Sequence, residues 1–485
     1  MSGKAKSRIA SLSVAGTIVA AAALFVLAPS HGKAAPPAQN DPRLAKSVRF
    51  ERGGWVYVHL EGTPAQVGFQ HGYLLAPEIA DALTAYKLDT THRTQRDWNF
   101  FRETSRKVLW PHIEAEYREE LQGITDGVRA HGVQADLDDI VALNGALEIP
   151  DYYVPWLNKQ QHAQNAPHLT SPGNCSAFVA TGSYTKDHGI VIAHNNWTSY
   201  WQGERWRIIF DIQPEHGYRI LMDGYPGIIT SDDDFGVNSD GLMVTETTIT
   251  QFNGFDPNAI PEFVRSRKAL QYATSIDDYE RIMLDHNNGG YANDWLLGDQ
   301  KTGEVARFEL GLADHRLWRT KDGVFVGSNF PSDPKLTKDE TTFDTADRGS
   351  SPNARHARWD ELMAQSKGKI DVPMAESFLS DHRDTFLNAN GADERTLCGH
   401  VDASPRGCPQ WDWEANHPGG AVQGKAMDST MAKNMSFIAR MGHPCGSDFI
   451  AAPFLKAHPE YAWQAPILRD MKAGPWTQFA SGEKQ

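Results

Sequence analysis

Residues 171–181 read Ser-Pro-Gly-Asn-Cys-Ser-Ala-Phe-Val-Ala-Thr, and at this point the chain changes character. Upstream, residues 157–174 (LNKQQHAQNAPHLTSPGN) are polar, rich in Gln, Asn, Pro and His, and have no apolar period. That is the composition of an exposed loop. Downstream, 176–180 is a short apolar run that reads as a strand, followed by a second run at 189–193. Between them, Asp187-His188-Gly189 suits a hairpin turn. Most lone cysteines are buried packing groups. A cut after Asn174, however, would leave Cys175 as a new N-terminus on a rigid strand, its thiol beside its own amine. An α-amine has a pKa of about 7.7–8, so near neutrality part of it is free to take the thiol proton.

Further out, 52–60 alternates apolar and polar residues as a strand does, and 62–72 (GTPAQVGFQHG) places three glycines around His71. Apolar residues recur at helical spacing from 77 to about 131, and 136–147 is a second helical stretch with Asp136 as its N-cap. After the junction, strands are expected at 206–212, 218–222, 227–231, 242–249, 295–299, 306–312 and 323–328. Helices are expected at 261–273, 276–285, 354–366 and 372–381. Helices first, then a large antiparallel sheet system interrupted by helix pairs, make an α+β fold of packed layers.

The 485 residues carry a net charge of −14 and no long Lys/Arg run, which excludes a nucleic-acid binder. Four cysteines without a C-x-x-C pair argue against a disulfide scaffold and against structural zinc. Lys4, Lys6 and Arg8 precede the apolar stretch 16–27 (GTIVAAAALFVL), and Ala34-Ala35 offers small residues for cleavage. Residues 1–35 therefore read as a signal peptide, with an uncleaved anchor as the alternative, and the mature chain as secreted or periplasmic. No later stretch approaches 18 apolar residues, so no stable transmembrane domain is expected.

Several blocks resemble the phospholipase B-like proteins of the N-terminal-nucleophile hydrolase superfamily. They are Cys175-Ser-Ala-Phe, His194-Asn-Asn-Trp-Thr-Ser-Tyr200, Tyr225-Pro-Gly-Ile-Ile-Thr-Ser-Asp-Asp-Asp-Phe235, Gly241-Leu-Met-Val-Thr-Glu-Thr-Thr-Ile249 and Asn288-Gly-Gly-Tyr-Ala-Asn-Asp-Trp295. More distantly the chain is similar to penicillin V acylase, bile salt hydrolase and the self-processing penicillin acyltransferase, whose branch 62–72 and Leu397-Cys-Gly-His400 also fit. The resemblance implies a four-layer αββα sandwich with an N-terminal helical region. It also implies self-cleavage between Asn174 and Cys175, giving 36–174 and the catalytic 175–485, and hydrolysis of an acyl substrate through a thioester on Cys175. No cofactor or metal is implied. The expected partner is a lipid or an acylated small molecule: fatty acyl esters of phospholipids or lysophospholipids first, N-acylated amides as the alternative, with a silent binding protein as the rival of a different class.

Other positions carry over one at a time. His194 stands where the bile salt hydrolase branch has an Arg, and Asn195 matches an Asn present in both branches. Trp197 replaces an Asp that steadies the amine, which leaves the amine's partner open and adds apolar surface for a hydrocarbon chain. Asn329 matches the oxyanion Asn, Thr247 or Thr248 the second donor, and Arg355 the active-site Arg, with Arg358 its competitor one turn on. The run Asp232-Asp-Asp234 lacks EF-hand spacing and reads as a cluster that caps or pairs with Arg. His71 and His400 are single histidines without metal spacing. Cys398 could pair with Cys408 in a small disulfide, with Cys445 as the alternative partner.

Overall fold

The computed structural model describes residues 41–162 and 175–484; the expected signal segment 1–35 and Asn174 lie outside the described residues. Two sheets carry the fold. The nine-stranded sheet follows chain order across its width, beginning Val48–Arg52, Trp55–Gly62, Ile208–Pro214, Ile220–Gly224 and Gly236–Asn238. It continues through Leu242–Thr248, Asn293–Asp299 and Glu304–Leu310 to His315–Thr320. The six-stranded sheet runs Gly323–Gly327, Cys175–Thr181, Val191–Ser199, Gly419–Asp428, Ser436–Met441, Thr477–Ala480. Among these strands only the pairing of Trp55–Gly62 with Ile208–Pro214 is parallel. The nine-stranded sheet thus draws strands from both sides of residue 174.

Alternation along each strand separates three apolar layers, because successive side chains leave opposite faces. Val56, Val58 and Leu60 join Ile79, Leu83, Ile124 and Phe263 in the core under the outer helices. Tyr57, Leu221 and Met243 meet Val179, Ile192 and Ala439 between the sheets. Phe178 and Ala193 turn outward to Trp359, Leu362 and Phe378 on helices Ser351–Ser366 and Val372–Leu379. Helix layer, sheet, sheet, helix layer: the α+β, αββα expectation holds. Among the described residues no helix is long and apolar enough to cross a membrane.

Three local expectations fail, the first at residues 157–160, read as the start of an exposed loop but forming the end of helix Val154–Gln160. Residues 227–231 are turns rather than a strand, because side chains take the amides a ladder would need. His71 Nε2 accepts from the Gly227 N–H at 2.9 Å, and Asn144 Oδ1 from the Ile229 N–H at 2.9 Å. Buried His71 is therefore a neutral acceptor, and burial holds it near a pKa of about 3. Residues 227–231 also sit beside the acidic run, which pairs with a lysine rather than an arginine. Lys425, fully buried on the six-stranded sheet, binds Asp223 Oδ2 of the other sheet at 2.8 Å and also Asp233. Burial disfavours both charges, but the carboxylates keep Lys425 above its usual range and Lys425 keeps Asp233 below its own.

The glycine-rich 62–72 proves to be helix Pro64–Leu74, opened by a capping box between Thr63 and Gln66. Its glycines allow two helices to touch backbone to backbone. A Cβ on Gly68 would lie 2.0 Å from Glu120 O, and one on Gly72 would lie 2.0 Å from Ile124 O. Gly123 and Gly127 of helix Ala115–Ala130 face them nearly as closely. Backbone cannot yield as a side-chain tip can. Gly72→Ala should therefore destabilise by about 1–3 kcal/mol or more. Gly391→Ala, with nothing within 4 Å, should be near neutral; equilibrium denaturation of the two variants checks this.

Candidate active site

Cys175 opens its strand at the end of the six-stranded sheet and is 2% exposed. Its backbone nitrogen donates to Asn329 Oδ1 at 3.0 Å, and its sulfur lies 3.8 Å from Glu246 Oε1. Burial, and then the charge of Glu246, push the thiol well above its usual range. Burial, and then the nearby Asp234, push the Glu246 carboxyl up as well, while Tyr291 donates its hydroxyl to Glu246 at 2.8 Å. The thiol therefore rests neutral, and the sulfur becomes nucleophilic only when a base removes its proton.

Asn329 follows strand Gly323–Gly327 with φ of +64°, a left-handed turn that Asn tolerates better than most residues. Its Nδ2 donates to Thr248 O at 2.9 Å. The amide thus holds the Cys175 nitrogen through its oxygen and the Thr248 carbonyl through one of its two N–H donors. Arg355 completes the frame. From the first turns of its helix it donates to Cys175 O, to Ser176 Oγ at 3.0 Å and to Asn329 Oδ1 at 2.8 Å. Burial lowers it only to about 10, so it remains a cation. The competitor Arg358 points elsewhere, to Asp381 at 2.9 Å and Glu361 at 2.8 Å.

Strand Val191–Ser199 divides its residues between two faces. Cys175 is in register with Asn196, and Ser176 with Asn195. Asn195 turns to the outer layer, where Nδ2 donates to Leu379 O at 2.8 Å and Leu397 O at 2.9 Å. Trp197, on that same side, donates to Leu397 O at 3.2 Å and lies 4.6 Å under the Arg355 guanidinium. The ring thus carries the arginine, and it also lines the cavity beside Cys175. His194 and Asn196 face inward. His194 is fully buried, 3.7 Å from Asp233, and burial beside Lys425 lowers it to about 3.

Asn196 lines the cavity with Cys175, and its Nδ2 is buried without a hydrogen-bond partner. The sequence reading selected Asn195; the period-2 alternation of the strand was the signal for Asn196. Thr248 also reaches the cavity, whereas Thr247 lies under Gly327, its hydroxyl unpaired. Glu246 and Tyr291 were missed outright. The cavity, about 750 Å³, is walled by aromatic rings including Trp201, Trp206, Trp411 and Trp463, and Arg93 at its side is paired with Asp89 and Asp151. Cys175, His194 and Glu246 also bring three ligand-type atoms within 4.8 Å of one another. All four cysteines are free, so no Cys398–Cys408 disulfide forms: the Cys408 sulfur contacts Gln410 and that of Cys398 contacts His400.

The family model described as Phospholipase B matches residues 77–318, half of the chain. The chain belongs to the phospholipase B-like family. Phospholipase B-like protein F of Dictyostelium discoideum is 33% identical over 139 residues, 27% of this chain and 24% of that protein. The putative phospholipase B-like 2 of Rattus norvegicus is 31% identical over 167 residues, 30% and 27% of the two chains. The matched stretches thus span about a quarter of these relatives' own length. Among solved structures, a mutant of conjugated bile acid hydrolase from Clostridium perfringens aligns at 12% identity with a TM-score of 0.32. That alignment covers 55% of this chain and 89% of that one.

The two neighbouring asparagines should separate cleanly in stability. Asn195→Ala strips a donor from two buried carbonyls and should cost about 1–3 kcal/mol. Asn196→Ala removes an unpaired donor and should cost clearly less in the same denaturation experiment. Equal losses would show that Asn196 is held as tightly as its neighbour.

Proposed function

We propose that this chain is an exported, self-cleaved acyl hydrolase in which Cys175, once freed from Asn174, is both nucleophile and carrier of its own base. The observation that carries the reading is the Cys175 nitrogen held 3.0 Å from Asn329 Oδ1 at the floor of an aromatic cavity. Cleavage would proceed by attack of the thiol on the Asn174 carbonyl, an N-to-S acyl shift, and hydrolysis of the resulting thioester. The freed amine keeps Asn329 as acceptor for one N–H and leaves its lone pair for the thiol proton. The thiolate adds to the substrate carbonyl, the leaving group departs with a proton, and water resolves the thioester.

The negative charge on the tetrahedral intermediate needs donors fixed in advance. Unpaired Asn196 Nδ2, in register with Cys175, is the side chain best suited. Arg355 adds a fixed positive charge behind the nucleophile, and Glu246, whose carboxyl burial raises above its usual range, is placed to pass a proton to a departing oxygen. Residues between the sheets exclude bulk water, which strengthens each of these interactions. The aromatic cavity favours a flexible hydrocarbon chain and therefore fatty acyl esters of phospholipids or lysophospholipids.

Intact-mass analysis of the full chain should show two products, the larger beginning at Cys175, and Cys175→Ala should remain one chain. Wild-type protein that stays uncut yet hydrolyses acyl substrates would sink the amine-as-base mechanism. On lysophosphatidylcholines of increasing length, kcat/KM should rise by up to about fourfold per methylene, the equivalent of about 0.8 kcal/mol of burial. Activity confined to N-acyl amides, without a length trend, would overturn the lipid assignment and leave Cys175 in place. Asn196→Ala should lower kcat by about 10²–10³, the usual loss on removing an oxyanion donor; an unchanged kcat would place that donor elsewhere.

A further inference from the structure

On the far side of Trp197 from the cavity, His382, Cys398, His400 and Cys445 converge from three separate segments. One ligand-type atom from each lies within 4.8 Å of all the others. Both sulfurs, of Cys398 and of Cys445, sit 3.6 Å from the same atom, His400 Nε2. A tetrahedral zinc ion with Zn–S of about 2.3 Å and Zn–N of about 2.0–2.1 Å sets its sulfur and nitrogen ligands about 3.6 Å apart. Two edges of the tetrahedron are therefore already at the required length. His382 Nε2 is a buried nitrogen without a hydrogen-bond partner. Cys398 is fully buried, and Cys445 and His382 are half-buried, so the group is shielded but reachable from solvent.

The geometry points to a structural metal site, Cys398, Cys445, His382 and His400 binding one zinc ion. Two thiolates and two neutral imidazoles form a closed soft N/S set, which favours zinc over calcium or magnesium and leaves no position for a substrate. Binding releases one proton from each thiol to solvent, and the resulting Zn(Cys)₂(His)₂ unit carries no net charge. The four ligands are scattered over 64 residues with only the Cys-x-His pair adjacent, which is why no metal spacing is visible in the sequence.

The site's place in the fold gives it a task. Asn195 holds the carbonyls of Leu379 and Leu397, next to two of the ligand segments, and Trp197 holds Leu397 O as well. His400 stacks on His443 with ring centroids 4.0 Å apart and bridges to Gly420. A bound ion would cross-link these segments behind the platform on which Arg355 rests, at a distance from the reacting atoms.

The full chain, purified without chelators or immobilised metal, should contain about one zinc per molecule by inductively coupled plasma mass spectrometry. Thiol titration in denaturant plus chelator should then find all four cysteines reduced. Metal-stripped wild-type protein given Co²⁺ should develop thiolate-to-cobalt charge-transfer and tetrahedral ligand-field bands, and metal loading should raise its Tm. Cys175→Ala and Cys408→Ser should keep the bands, and the Cys398→Ser/Cys445→Ser double variant should lose them. A Cys398–Cys445 disulfide found by non-reducing peptide mapping would overturn the proposal. So would metal lost in Cys175→Ala, or a reduced, folded wild type that gives no cobalt bands. None of these outcomes depends on hydrolytic activity, so this site and the acyl-hydrolase reading stand or fall separately.

Discussion

Arg355 is a full positive charge sealed inside the protein, and among the described residues no carboxylate forms an ion pair with it. Removing a guanidinium from water is costly unless fixed dipoles replace its hydration. Here they come from the Cys175 carbonyl, the Ser176 and Ser351 hydroxyls and the Asn329 amide oxygen, with the rings of Trp197 and Trp411 packed against it. Because these dipoles belong to several stretches of chain, satisfying one cation fixes those segments at once. The Cys175 backbone is gripped at its carbonyl by the arginine and at its nitrogen by Asn329, which the arginine also holds.

Beneath this frame a second buried charge ties the sheets together. Lys425 is in register with His194 on the six-stranded sheet and reaches across the apolar layer to Asp223 on the other. Sliding one sheet over the other would leave charges unpaired in that layer, at a cost of about 3–5 kcal/mol for the broken pair. Asp233, bound by the same lysine, brings the network within 3.7 Å of His194. The inward face below the nucleophile is therefore pinned by electrostatics, and the outward face by Asn195 and Trp197.

The architecture was legible because strand alternation and helical spacing are local signals, and the strand beginning at Cys175 was legible because an apolar run starts there. What escaped was set by partners distant in sequence. Residues 227–231 look like a strand until His71 and Asn144 claim their amides. The 62–72 segment hides a helix because glycine weakens the helical pattern, and its purpose appears only against Gly123 and Gly127. Lys425 lies 192 residues from Asp233, so no window of sequence displays the pair. Asn195 and Asn196 were a different failure: the alternation was present, but a match of residue type outweighed it.

That alternation also constrains how this part of the protein can change over evolutionary time. His194 and Asn196 take one face of the strand, while Asn195 braces the outer layer and Trp197, on the same face as Asn195, carries Arg355 at the cavity wall. Inserting or deleting one residue early in the strand would exchange the two sets together, burying the braces beside the sulfur and exposing the polar pair to the helices. The ladder is already interrupted nearby, where the neighbouring strand shifts register between Ala421 and Gln423. Length variation among descendants of this chain should therefore collect in the connections on either side of residues 191–199, while the strand itself accepts substitutions one face at a time.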